Sequence, residues 1–113
     1  MHEMALCESI LQTLEAEARR QGFERVRAVR LEIGRLATVE PEALRFSFEV
    51  VTRDSLADGA RLEIIEVPGS AWCMHCAQTV DIARRFDECP LCGGYQLQVT
   101  GGDEMRIKEL EVE

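Results

Sequence analysis

The sequence predicts an α+β protein in which two helices pack on a small three-stranded sheet, with a metal-binding ribbon module inserted between two strands. Two segments repeat their apolar residues every three or four positions, whereas three others have the pattern of strands: two alternate with a period of two, and one is apolar on both faces. Two Cys-x2-Cys pairs stand between the last two of those strands. A chain of 113 residues suffices for one main core and a small metal-stabilised module. We assign residues 69–100, which contain the cysteines, to this inserted module.

The first helix is predicted over residues 4–21. Arg19 and Arg20 stand in its last turn, where they face the negative end of the helix dipole. Gly22 follows, and glycine readily adopts the left-handed conformation that ends many helices. The apolar stripe consists of Met4, Cys7, Leu11, Leu14 and Ala18. On this stripe we expect Cys7 to behave as a small, buried hydrophobic residue.

The next two elements are a strand and a second helix. Residues 25–33 alternate between apolar and charged side chains, which predicts a half-buried strand that ends at Gly34. A helix is predicted over residues 38–51, with Pro41 in its first turn, where a helix tolerates proline.

Two further strands enclose the cysteine segment. Residues 61–67 are apolar on both faces, and this pattern predicts a strand in the middle of the sheet. The last strand, over residues 104–112, changes the phase of its alternation across Lys108-Glu109, as a β-bulge would cause.

The charge and hydropathy of the chain exclude several classes of partner. The net charge is −8 and the sequence pI is about 4.8, so a nucleic-acid backbone would be repelled. No segment approaches the ~20 apolar residues of a membrane helix, and the start of the chain lacks a secretory signal. We expect a cytoplasmic protein that binds neither nucleic acid nor a membrane.

The four paired cysteines are the strongest chemical signal in the sequence. Two residues between thiols let one tight turn present both sulfurs to a single ion at about 2.3 Å. Four thiolates close the coordination sphere of Zn²⁺ and favour a structural ion, whereas disulfides are the alternative that cytosolic reductants disfavour. The predicted zinc ligands are Cys73, Cys76, Cys89 and Cys92.

The two histidines of the chain stand in different contexts. His75 lies between the cysteines of the first pair, where it is either an exposed turn residue or a group that exchanges with a thiolate and senses pH. His2 directly follows Met1, so a terminal amine and an imidazole lie one residue apart. Together with deprotonated amide nitrogens they can enclose Ni²⁺ or Cu²⁺ in a square plane; the alternative is a solvated histidine.

Three other functions compete on the residues alone. A Cys-Pro-x-Cys-Gly turn also occurs in rubredoxin-like iron sites, which would make the protein red. A zinc-ribbon interaction module for nucleic acid needs a basic face and stacking aromatic residues, which an acidic chain disfavours. An enzyme needs a nucleophile or a pair of carboxylates in a pocket, and because the sequence offers neither motif we expect no enzymatic activity.

Five segments, spread along nearly the whole chain, carry a family resemblance. They are Met1-His2-Glu3-Met4, Val29-x-Leu31-x-Ile33-Gly34, Glu42-Ala43-Leu44-x-Phe46-x-Phe48, the paired cysteines, and Gly102-x-Glu104-Met105-x-Ile107. In this order they resemble the hydrogenase-maturation nickel metallochaperones of the HypA/HybF family.

This resemblance implies a nickel-binding domain over residues 1–68 and 101–113 and a zinc-binding insert. It implies that Ni²⁺ is delivered to the large subunit of nickel-iron hydrogenase, in some bacteria also to urease, in cooperation with a GTPase. A homodimer is a further candidate assembly. By position, His2 is the nickel ligand, helped by the amine of Met1 and the backbone nitrogen of Glu3. Glu40 matches a position where an acidic residue can approach the metal, and the four cysteines match the zinc ligands.

Overall fold

The computed structural model describes residues 3–113 and has, in that range, two helices and six strands in two sheets; Met1 and His2 lie outside it. One sheet has the strand order β2-β1-β6 and the other β4-β3-β5. The α+β class and the small three-stranded sheet are therefore confirmed. The elements are α1 Glu3–Gln21, β1 Val26–Gly34, α2 Pro41–Val51, β2 Arg61–Val67, β3 Gly69–Cys73, β4 Gln78–Ile82, β5 Leu97–Gly101 and β6 Met105–Val112.

The chain divides into two compact units. Within the described range, the first unit comprises residues 3–31, 39–64 and 107–113, and the second comprises residues 32–38 and 65–106. The boundary of the insert at residues 69–100 stays a prediction. Among the described residues, neither helix combines the length and apolar composition that a transmembrane span requires.

The core of the first unit is built from the apolar faces of its helices and of β1. The thiol of Cys7 on α1 is buried and donates to the carbonyl oxygen of Leu44 on α2 at 3.5 Å, so the predicted core position of this cysteine is confirmed. Helix α1 ends as predicted, because Gly22 has a φ of 81° and its N–H binds Ala18 O at 2.8 Å. The buried apolar residues that these elements contribute to the first unit are Cys7, Ile10, Leu14, Val26, Ala28, Val29, Leu31, Leu44 and Phe48.

Helix α2 starts three residues later than predicted. Thr38 has a φ of 48°, which a helix does not allow, and Glu40 is the N-cap with an extended backbone. The Glu40 carboxylate accepts a hydrogen bond from the N–H of Glu42 at 2.9 Å. Pro41 then occupies the first helical position, where its missing N–H costs nothing.

Strand β2 lies at an edge of its sheet, so the predicted central position was wrong; the central strand is β1. The apolar residues of β2 are only partly buried beyond Leu62, and Ile65 is 36% exposed. A β-branched composition favours a pleated surface without distinguishing an edge strand from a central one. In β6 the burial pattern changes phase at Lys108-Glu109, as the sequence predicted.

The sheet of the second unit has a small residue, Ala71, on its central strand. Strand β3 is central and antiparallel to both neighbours, and Ala71 stands opposite Val80 on one side and Val99 on the other. Leu36, from outside the predicted insert, joins its buried cluster. The N–H of Leu36 binds Gly102 O at 2.8 Å. A Cβ on Gly34 would lie 2.0 Å from that same oxygen, so this close approach requires glycine.

Candidate metal centre

The structure brings the sulfur atoms of the four paired cysteines together. The ligand atoms of the four residues all lie within 4.8 Å of one another. The Sγ atoms of Cys73 and Cys92 are 3.8 Å apart, and those of Cys76 and Cys89 are 4.0 Å apart. A zinc ion with four sulfurs at about 2.3 Å in a tetrahedron needs sulfur–sulfur distances of about 3.8 Å. The cluster therefore has the dimensions of a zinc-thiolate site, and all its cysteines are free thiols.

Each Cys-x2-Cys pair forms one tight turn, here called a knuckle. The first knuckle comprises residues 73–77, and the second comprises residues 89–93. In each, the N–H after the second cysteine binds the carbonyl oxygen of the first: Ala77 to Cys73 and Gly93 to Cys89, both at 2.8 Å. The residue after the second cysteine is left-handed in both, with φ of 53° at Ala77 and 75° at Gly93.

Backbone hydrogen bonds fix both knuckles to the surrounding chain. The first knuckle begins at the end of β3, and the N–H of Met74 binds the carbonyl oxygen of Gln96 at 3.0 Å. In the second knuckle the N–H of Cys89 binds Gly94 O at 2.7 Å. Because the ligand turns are tied to the segment before β5, the sulfur positions are preorganised by the backbone.

Backbone amides also point at three of the sulfurs. Cys76 N donates to Cys73 Sγ, Leu91 N to Cys89 Sγ and Gly94 N to Cys92 Sγ, each at 3.4 Å. Such bonds spread the negative charge of a thiolate and orient it toward a metal. The backbone N–H of Cys92, followed by that of Leu91, lowers the pKa of the Cys89 thiol to about 7.

The four thiols cannot all ionise side by side without a cation. Burial, followed by the neighbouring thiols of the cluster, raises the pKa of Cys76 to about 12, although Cys89 titrates near neutrality. A divalent cation removes this conflict, because it replaces the protons and neutralises the accumulated charge. The donor set therefore fits zinc. Among residues 3–113 no other group of three or more potential ligand side chains converges in this way.

One further thiol and one further imidazole lie within the described residues, and neither belongs to the group of converging ligands. His75 is exposed, and it does not belong to the group of converging ligands. Cys7 is fully buried in the first unit. Burial, followed by the negative charge of Glu3, raises the pKa of the Cys7 thiol to about 11. This thiol is therefore neutral near pH 7 and makes a poor metal ligand.

The residues predicted to bind nickel are only partly within the described range. Met1 and His2 lie outside it. Glu3 is the first residue of α1, and its carboxylate accepts a hydrogen bond from the backbone N–H of Glu40 at 3.4 Å. The structure thus brings together the start of α1 and the N-cap of α2. The capping role of Glu40 was missed from the sequence, although Glu-Pro-Glu is a helix-start signal.

Comparison with known proteins shows the family of the chain. A family described as "Hydrogenase/urease nickel incorporation, metallochaperone, hypA" matches residues 1–112. Hydrogenase maturation factor HypA of Alkalilimnicola ehrlichii is 66% identical over 113 residues, covering all of both chains. Hydrogenase maturation factor HypA of Albidiferax ferrireducens is 64% identical over the same length, again covering all of both chains.

A solved structure shares the fold. The solution structure of the Ni metallochaperone HypA from Helicobacter pylori superimposes with a TM-score of 0.70 at 24% identity, covering 99% of this chain and 97% of that one. At this identity the likeness concerns the fold alone, whereas the family match and the relatives above 60% identity extend over the whole sequence. The chain therefore belongs to the HypA family of nickel-incorporation metallochaperones for hydrogenase maturation.

Proposed function

We propose that this chain binds Ni²⁺ at its N-terminus and delivers it to the large subunit of nickel-iron hydrogenase. The observation that carries the proposal is the match of residues 1–112, which include the Met-His-Glu start, to a nickel-incorporation family. The proposed ligands are the amine of Met1, the imidazole of His2 and the backbone nitrogen of Glu3. Urease is a second client class, since the family description includes it.

The start of α1 suits such a ligand set. The first four N–H groups of a helix have no acceptor within the helix, and Glu3 is the first residue of α1. A metal can therefore replace the proton of this backbone nitrogen, which passes to solvent, without breaking a helical hydrogen bond. Glu3 and Glu40 lie close together in space, because the Glu3 carboxylate accepts a hydrogen bond from the Glu40 N–H. The negative charges of their two carboxylates favour a dication nearby.

In this proposal the cysteine cluster holds a permanent structural ion, whereas the N-terminus binds an ion that is later released. Cys73, Cys76, Cys89 and Cys92 hold a structural Zn²⁺, which supplies a cross-link between the two knuckles. Because four thiolates saturate a tetrahedral ion, this site leaves no open position for cargo or for a substrate. We accordingly propose that the protein has no enzymatic activity of its own. The rubredoxin-like alternative requires a red protein, whereas the zinc protein is colourless.

Delivery depends on release as well as on binding. Nitrogen ligands at a chain end can detach from the ion one after another, so a receiving site can replace them stepwise. The proposed partners are a GTPase of hydrogenase maturation and the large subunit itself, in the cytoplasm, with a homodimer as a further assembly. Family membership supports a place among the proteins of hydrogenase maturation.

The chain offers a matched pair of variants for testing nickel binding, because it contains two histidines. His2→Ala is expected to abolish stoichiometric Ni²⁺ binding in a calorimetric titration. His75→Ala is expected to retain it, since His75 stands beside the sulfur cluster. Zinc content, measured by elemental analysis, should be the same in both variants and in the parent. Equal nickel stoichiometry in His2→Ala and the parent would remove the proposed site.

Delivery needs its own assay. The chain loaded with radioactive nickel is mixed with purified immature large subunit, and the label on each protein is measured after separation. Transfer from the parent and from His75→Ala, but none above free-ion background from His2→Ala, is expected. If the parent transfers no more nickel than an equal concentration of free Ni²⁺ does, delivery to the large subunit is contradicted.

A further inference from the structure

The four residues of the cysteine cluster differ in how far they are exposed to solvent. Cys73 and Cys89 are buried, at 0% and 1% exposure, whereas Cys76 is half-buried and Cys92 is exposed. With zinc bound, all four are thiolates, so their protonation no longer distinguishes them. A small electrophile must touch the sulfur that it modifies, and it therefore reaches the second cysteine of each knuckle, Cys76 or Cys92, most readily.

Backbone hydrogen bonds distinguish these two accessible sulfurs. Cys92 Sγ accepts the N–H of Gly94 at 3.4 Å. The three amide hydrogen bonds to sulfur that the described residues make go to Cys73, Cys89 and Cys92, so Cys76 Sγ receives none of them. Among the four sulfurs, that of Cys76 is therefore the one whose negative charge no described backbone amide shares.

The chain that follows each knuckle explains this difference. The residue two positions after Cys92 is Gly94, which belongs to no strand, and its N–H points back to the sulfur. The residue two positions after Cys76 is Gln78, the first residue of β4, which stands opposite Cys73 in the sheet. Because Gln78 has already entered the sheet, its backbone follows β4 and does not turn back to the sulfur of Cys76.

The missing amide makes Cys76 the stronger nucleophile of the two. A hydrogen bond to a thiolate withdraws charge from the sulfur, and it must weaken when the sulfur attacks an electrophile. Loss of one such bond to a charged group slows attack about tenfold or more. Exposure changes the rate of encounter only in proportion to accessible area. The hydrogen bond is therefore the larger effect, and it favours reaction at the half-buried Cys76 over reaction at the exposed Cys92.

We propose that Cys76 is a modification site, the first cysteine of the cluster to react with hydrogen peroxide, and that its oxidation expels the zinc ion. The Cys76 thiolate attacks one oxygen of the peroxide, the O–O bond breaks, and hydroxide leaves, which gives a sulfenic acid. A second thiolate of the cluster, whose ligand atoms all lie within 4.8 Å of one another, attacks that sulfur and displaces a second hydroxide. The peroxide thereby gains the two electrons that the new disulfide has lost. Zinc keeps only two thiolates and dissociates.

The first test maps reactivity on the full-length protein. It rests on the zinc ion of the proposed function but not on nickel, so zinc content is measured first. The zinc-loaded chain is treated with less than one equivalent of N-ethylmaleimide, and mass spectrometry locates the label in chains that carry a single one. Cys76 should carry it at least about tenfold more often than Cys92, and the buried Cys7 should stay unlabelled.

Two outcomes of this mapping have different meanings. Labelling that favours Cys92, or that is equal at Cys76 and Cys92, in a chain with one zinc ion would overturn this proposal alone. Less than one zinc ion per chain before treatment would contradict the zinc assignment itself, and this proposal with it.

The second test follows oxidation. One equivalent of hydrogen peroxide should release zinc, detected with a chromogenic zinc indicator, and the first disulfide should include Cys76. Cys76→His and Cys92→His are matched variants, because each leaves three thiolates and one imidazole, a ligand set that zinc accepts. Cys76→His should release its bound zinc at least about tenfold more slowly than the parent, whereas Cys92→His should release it about as fast as the parent. The opposite order, or a first disulfide without Cys76, would overturn the proposal.

Discussion

The cysteine cluster and the first turn of α1 offer a metal two opposite environments. In the cluster, four sulfurs stand on knuckles that backbone hydrogen bonds tie to the segment before β5, and three of the sulfurs accept N–H groups at 3.4 Å. At the start of α1 the described part of the site offers oxygen and nitrogen: the carboxylates of Glu3 and Glu40 and the backbone nitrogen of Glu3.

Under the proposed function, this difference explains how one small chain can hold two ions of similar size. Intrinsic affinities for Ni²⁺ and Zn²⁺ are close, so ligand type and geometry must separate them. Thiolates in a closed tetrahedron select zinc, whereas nitrogen donors in a plane suit nickel. A closed, preorganised cluster also retains its ion, whereas a chain end can release one.

Removal of one sulfur from the cluster should have the largest effect, and that effect should be confined to the second unit. Cys73→Ser is expected to lower zinc content well below one ion per chain and to unfold the second unit, because structural zinc contributes ~10–16 kcal/mol in small modules. Elemental analysis measures the ion, and amide NMR signals of residues 65–106 report the fold. Cys7→Ala is the matched control and should keep its zinc. Equal zinc content in Cys73→Ser and the parent would contradict the assignment of the cluster.

Cys7, the cysteine outside the cluster, should differ from the cluster cysteines in its response to alkaline pH. The Cys7 thiol has a folded pKa of about 11 against an ordinary value of 9.0. The unfolded chain therefore loses this proton first, so the stabilisation is complete below pH 9 and is lost as pH rises toward 11.

The corresponding measurement compares denaturant unfolding of the parent and of Cys7→Ala from pH 8 to 11. The free energy of unfolding of the parent should fall relative to that of Cys7→Ala across this range. A constant difference between the two proteins would show that the thiol does not titrate abnormally.

The smallest expected effect is the change in stability on substituting the left-handed residue of each knuckle. Gly93 and Ala77 occupy equivalent left-handed positions, but only glycine adopts that conformation without strain. Nothing crowds a Cβ at Gly93, whose nearest contact would be a Glu88 carboxylate oxygen at 3.9 Å.

Gly93→Ala should therefore cost about 1 kcal/mol of stability in the zinc-loaded protein through backbone strain alone. Ala77→Gly should change stability by less than about 1 kcal/mol, because relief of strain is offset by the greater entropy of the unfolded chain. Thermal unfolding of both variants with zinc bound measures the two effects. A larger loss in Ala77→Gly than in Gly93→Ala would contradict the equivalence of the knuckles.

The sequence predicted those parts of the molecule that depend on local patterns. The spacing of the cysteines identified the cluster, because two residues between thiols dictate a knuckle wherever it stands in a fold. The start of helix α1 was predicted to within one residue, and the helix ends at Gln21, directly before Gly22, as expected. The phase change at Lys108-Glu109 was equally visible, since it concerns the side-chain pattern of a single strand.

The features that the sequence did not reveal depend on distant residues or on backbone conformation. Strand β2 has the composition of a central strand, and only the pairing of β1 with both neighbours moves it to the edge. Leu36 joins a cluster formed largely by residues beyond position 70. The left-handed Ala77 was missed because alanine does not signal this conformation, whereas Gly93 in the other knuckle does.

The central claim is that the chain sorts nickel and zinc to separate sites by ligand type. X-ray absorption at the nickel and zinc edges, recorded on one sample loaded with both ions, tests this claim directly. The account predicts zinc surrounded by four sulfurs at about 2.3 Å and nickel surrounded by nitrogen and oxygen alone. Sulfur in the first coordination shell of nickel would contradict it.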